Sequence, residues 1–61
     1  KMNYDQAKAL TTALKMAVQA PTETKSKDYV MIAEMLAAHM TQEEVELCKQ
    51  AAKDAISLEA V

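Results

Sequence analysis

The first third of the chain has the hydrophobic pattern of an amphipathic α-helix. Its apolar residues recur at helical spacing: Leu10, Ala13, Leu14, Ala17 and Val18. Asn3 is a suitable N-cap, because its side chain can accept hydrogen bonds from the free amides of the first turn. Pro21 disfavours the α conformation at the residue before it. The pattern therefore predicts a helix over residues 3–19.

The middle third is apolar at nearly every position from 29 to 40, with Glu34 and His39 as the exceptions. It predicts a second helix over residues 23–39. Thr22 and Ser26 are both suitable caps, so the segment TETKSK (residues 22–27) can be either the first turn of this helix or a loop.

The last third has the clearest helix start, because Thr41 followed by Glu44 has the spacing of a capping box. A third helix is predicted over residues 42–59. Its main apolar stripe contains Val45, Cys48, Ala52, Ala55 and Ile56. Few residues separate it from the second helix, so the two should meet at a tight corner.

The second helix has two apolar sides. One wide arc is expected to face both neighbouring helices, with the second helix at the centre: Tyr29, Val30, Ile32, Ala33, Leu36, Ala37 and Met40. Met31, Met35 and Ala38 lie on roughly the opposite side, and Leu47 and Leu58 form a second stripe on the third helix. We expect these five residues to face a partner. The alternative is a monomer whose flexible methionines fold back over the core.

Composition supports an all-α fold that self-associates. The sequence contains no glycine, phenylalanine or tryptophan, and one cysteine, which excludes an internal disulfide. A chain of 61 residues forms one domain over residues 1–61 with a small core. A homodimer interface would supply additional burial. Lys1 ahead of Met2 is interpreted as a remnant of expression.

Charge and hydropathy argue against two kinds of partner, nucleic acid and the membrane interior. The formal net charge of -2, with no arginine, does not favour binding to a phosphate backbone, so nucleic acid is not expected. The longest apolar run covers residues 29–33, which is too short to cross a membrane. A lone thiol is typical of a reducing compartment, so a cytoplasmic location is expected.

No residue pattern indicates catalysis, a cofactor or a metal. His39, Glu43 and Cys48 match no known zinc spacing, and Cys48 lies on the apolar stripe of the third helix. Four lysines could contact an anion, although a solvated face explains them better: Lys8, Lys15, Lys25 and Lys27.

These patterns predict a small cytosolic interaction module: an adaptor, an inhibitor or an assembly factor of the kind that phages and mobile elements also encode. It would present an apolar helix face to a protein partner as a homodimer. One alternative is a helix-turn-helix regulator that uses the corner near Thr41, although the next helix begins with glutamates. Another is an oligomer that binds a small anion. An enzyme ranks last, because no cleft with matched titratable groups can be assembled.

Overall fold

The computed structural model describes residues 3–59, which form three helices: α1 (Tyr4–Gln19), α2 (Glu23–Ala37) and α3 (Gln42–Glu59). This range contains no strand, so the predicted all-α three-helix fold is confirmed. The second helix ends two residues before its predicted end at residue 39. Lys1, interpreted above as a remnant, lies outside the described residues.

The predicted caps start the helices. The Asn3 side chain accepts from the backbone amides of the first turn of α1. The Thr41 hydroxyl accepts from the Glu44 amide at 3.2 Å, and the Glu44 carboxylate accepts from the Thr41 amide at 2.8 Å. These two bonds form the predicted capping box.

The start of α2 decides between the two possibilities for the TETKSK segment. The Thr22 hydroxyl accepts from the Lys25 amide at 3.1 Å, so Thr22 is the cap and Ser26 is not. The segment is therefore helical from Glu23 onward.

The central helix is α1, and the prediction that α2 is central is wrong. Both α2 and α3 pack against α1, whereas α2 and α3 scarcely contact each other. Since α1 covers only one side of α2, Ala33 is buried there, but the edges of the predicted core arc are exposed. Ile32 is 47% exposed and Val30 is 43% exposed.

The helix directions follow from the contacts of α1. Cys48 contacts Ala7 near the start of α1, and Glu59 contacts Gln19 at its end, so α1 and α3 are parallel. α2 is antiparallel to α1, because the two helices pack along each other and a short connection joins them. α2 and α3 diverge from their corner with α1 between them.

The core is small. Buried residues at its centre are Leu10, Ala13, Ala33 and Cys48. Among the described residues, Leu10 is the one large side chain that is fully buried. The molecule measures 34 × 26 × 16 Å, so it is flat. Its solvent-accessible surface of 4718 Å² is about a fifth larger than expected for a compact monomer of 6.7 kDa.

Between residues 3 and 59, no helix combines the length and the apolar character that crossing a bilayer requires.

Candidate protein-interaction surfaces

The methionine stripe consists of Met31, Met35 and Ala38 on the outer side of α2. Met31 is 61% exposed and Met35 is 71% exposed, and Ala38 at the end of α2 is also exposed. The stripe faces solvent because its spacing of four and three residues places it opposite Ala33, which packs toward α1. The prediction that these side chains lie outside the core is confirmed.

Acidic residues border the methionine stripe on both sides. Asp28 and Glu34 are exposed, and the helical repeat places one on each flank of the line from Met31 to Ala38. Lys27 also borders the stripe, one turn before Met31, and its charge is paired with that of Glu23. The stripe is thus an apolar ridge whose border has a net negative charge.

A groove between α1 and α2 continues this apolar surface. It has a volume of about 440 Å³ and its apolar lining includes Met16, Ile32 and Leu36. Met16 and Ile32 are both exposed. Asp5 and Lys8 lie at its polar border.

Leu47 and Leu58 are exposed on α3, as predicted. Leu47 lines a depression formed by the corner and the first turns of α3, with Thr41 and Glu43 beside it. These leucines lie on α3, whereas the methionine stripe lies on α2.

Sequence reasoning missed a second groove, the α2–α3 groove, which lies between the diverging helices with α1 as its floor. Its volume is about 510 Å³. Apolar side chains from all three helices line it: Leu14, Ala17, Val18, Val30, Ala52 and Ile56. Val18 is 70% exposed, although its position on the apolar face of α1 predicts burial.

The α3 side of this groove carries positive charge. Lys49 and Lys53 line it together with Glu46. Lys49 forms an exposed ion pair of 3.1 Å with Glu46. Within residues 3–59, Lys53 forms no ion pair, so the border keeps an uncompensated positive charge.

The signal that could have revealed the groove is the number of apolar stripes. All three helices have residues directed toward a shared centre, yet three helices arranged with α1 in the middle leave one side of that centre open. A fourth helix is needed to cover it.

The four candidate anion contacts have different surroundings. The ammonium of Lys15 pairs with the Glu59 carboxylate, and Lys27 pairs with Glu23 at 3.4 Å. Lys8 lines the α1–α2 groove, and Lys25 lines a shallow depression with Asp28 and Tyr29. No described cavity brings these lysines together.

At the junction between the ends of α1 and α3, the Glu59 carboxylate accepts hydrogen bonds from two side chains of α1. Lys15 donates to Glu59, and the Gln19 side-chain amide donates to the same carboxylate at 2.9 Å. Both hydrogen bonds lower the pKa of Glu59 below its ordinary value of 4.5, and the bond from Lys15 has a larger effect than the bond from Gln19.

The residues considered as metal ligands lie in different environments. Cys48 is buried and its thiol donates to the Ala7 carbonyl oxygen at 3.4 Å, whereas His39 is exposed at the corner. In the described part of the chain, no three histidine, cysteine or acidic side chains converge as a ligand set.

No protein-family model, curated protein or solved structure matches this chain.

Proposed function

We infer that this protein is a small interaction module that self-associates, with a homodimer as the expected form, and presents an apolar helix face to protein partners. The methionine stripe is its principal contact surface, and Leu47 and Leu58 provide a further apolar surface on α3. The proposal includes a cytoplasmic location, which is supported by the single, free and buried Cys48.

The observation that carries this proposal is the exposure of Met31 and Met35 on a flat chain with little core. Single exposed apolar residues are ordinary on monomers, but a stripe adjoining further exposed apolar residues is typical of binding surfaces. Methionine suits such a surface, because its flexible side chain adapts to partners of different shape. Covering the stripe would add the burial that the small core lacks.

Light scattering of the purified protein tests the proposal. We expect the wild type to be a dimer and the Met31→Glu/Met35→Glu variant to be a monomer, since two carboxylates on an apolar contact surface oppose its burial. The matched control is Lys25→Gln/Ser57→Glu, which makes the same change in net charge at exposed positions outside the stripe. A monomeric wild type, or a double glutamate variant that still dimerises, would contradict the proposal.

The structure offers less support for the alternative functions. A helix-turn-helix would place the first turn of α3 near phosphates, and that turn carries Glu43 and Glu44. For an anion binder, two of the four candidate lysines are already paired within the chain. Neither alternative has an observation in its favour comparable to the exposed stripe.

A further inference from the structure

Among the exposed apolar surfaces, the methionine stripe and the α2–α3 groove have borders of opposite charge. Asp28 and Glu34 flank the stripe, and the nearby Lys27–Glu23 ion pair adds no net charge to its border. The α2–α3 groove is bordered by Lys49 and Lys53, with only Glu46 opposing them. We propose that the α2–α3 groove is the receptor for the methionine stripe of a second copy of this chain.

The groove is bounded by residues of all three helices. α2 and α3 are its walls and α1 is its floor, so a helix laid in it would contact three helices and complete a four-helix arrangement. The walls provide Val30 and Ile56, and Val18 rises from the floor with most of its surface exposed. Recognition is therefore of the helix-in-groove kind, with residues at helical spacing as anchors.

Charge favours this occupant over a stripe-to-stripe contact. Two stripes placed face to face would bring the acidic flanks of both copies together, and like charges at an interface are unfavourable. A stripe in the groove instead places Asp28 and Glu34 near the lysines of α3. Electrostatic complementarity thus favours a dimer with the stripe in the groove over a dimer with stripe against stripe.

The geometry of α2 permits both copies to exchange these contacts. Val30 lines the groove and Met31 belongs to the stripe, and adjacent helical residues point about 100° apart. One helix can consequently form a wall of its own groove while its next face enters the groove of the partner. A two-fold dimer of this kind contains two identical stripe-in-groove contacts.

This inference rests on the proposed self-association, and a mixing experiment separates the two. The stripe variant is Met31→Glu/Met35→Glu, and the groove variant is Val18→Glu. Each variant alone should lose about tenfold or more in dimer affinity, because charge is placed in a desolvated contact. When they are mixed, the intact groove of the first variant can accept the intact stripe of the second, so a heterodimer should appear in light scattering.

The outcomes differ for each hypothesis. Association on mixing supports the groove as receptor. If the groove variant dimerises like the wild type, or if the two monomeric variants do not associate on mixing, the groove inference is overturned while self-association through the stripe still stands. A monomeric wild type overturns both.

A charge exchange at exposed positions keeps the test decisive if Val18→Glu does not fold, which circular dichroism would show. Lys49→Glu/Lys53→Glu should weaken the dimer, and adding Asp28→Lys/Glu34→Lys should restore it. Absence of restoration in a folded variant would overturn the groove inference.

Discussion

The Ser26 hydroxyl donates a hydrogen bond of 2.9 Å to the carbonyl oxygen of Ala17, and this bond joins the start of α2 to the end of α1. In a continuing helix the Ala17 carbonyl would accept from the amide of residue 21. Residue 21 is proline, which has no N–H. Ser26 therefore supplies the donor that Pro21 lacks.

Replacing Ser26 by alanine should lower the free energy of unfolding by about 1 kcal/mol, because the partly buried carbonyl of Ala17 loses its partner. Chemical denaturation of the wild type and the variant measures the difference. Ser57→Ala is the control at an exposed helical position, where alanine should be neutral or slightly stabilising. Equal effects of the two substitutions would show that the bond to Ala17 contributes no stability.

The capping box at Thr41 and Glu44 should be energetically coupled. Thr41→Ala and Glu44→Ala should each cost about 1 kcal/mol of stability, and the double variant should cost less than the sum, because both side chains fix the same turn. A double-mutant cycle measures the coupling. Glu43→Gln, in the same turn but outside the box, should cost only a few tenths of a kcal/mol through the helix dipole. Strict additivity would contradict the prediction.

Glu59 should make stability depend on pH in the acidic range. Its folded-state pKa is lowered by Lys15 and Gln19, so its contribution is fully present above its ordinary pKa of 4.5 and is lost as the pH falls through the lower folded value. The Tm of the wild type should be higher than that of Glu59→Gln at pH 7, and this difference in Tm should become smaller toward pH 3. The Lys15→Gln substitution should raise the pKa of Glu59 toward 4.5, which an NMR titration would measure. No change in that variant would remove Lys15 as the main cause.

The Cys48 thiol should be protected in the folded protein. It is 3% exposed, so an aromatic disulfide reagent can reach it only when the structure opens. We expect labelling to be slower than in denaturant by at least about a hundredfold, provided that opening costs a few kcal/mol. Ala51→Cys combined with Cys48→Ala moves the thiol to an exposed position on α3 and should label rapidly. Similar rates for both proteins would contradict the packing of Cys48 against α1.

Self-association should make thermal stability depend on protein concentration. For a dimer that unfolds to monomers, a tenfold increase in concentration adds about 1.4 kcal/mol per dimer, so the Tm should rise. The Met31→Glu/Met35→Glu variant should have a lower Tm that does not change with concentration. A wild-type Tm that is constant over two decades of concentration would argue against a dimer.

Local sequence signals predicted the helices well, because caps and breakers act within a few residues. Asn3 and the pair Thr41 and Glu44 mark boundaries through hydrogen bonds to nearby backbone amides. Pro21 marks one because it lacks an N–H and disfavours the α conformation at Ala20. The prediction of where α2 ends was less accurate, because the segment from Ala38 to Met40 contains neither glycine nor proline. That corner closes through backbone bonds from His39 to Leu36 and from Met40 to Ala37.

The packing order could not be derived, because it depends on contacts distant in sequence. The wide apolar arc of α2 suggests a central position, but α1 and α3 have small residues that allow close approach, and Ala7 lies against Cys48. As a result the exposure of Met31 and Met35 was predictable, whereas that of Val18 and Ile32 was not. The α2–α3 groove exists only because α1 occupies the middle.

The parallel arrangement of α1 and α3 has a consequence for joining two copies in one polypeptide. Asn3 and Glu59 lie at opposite ends of the molecule, separated by roughly the 27 Å length of an 18-residue helix. If the paired copies point the same way, a covalent tandem needs a linker of at least about eight residues to return along that length. A shorter tether would hold the copies apart and favour head-to-tail concatemers.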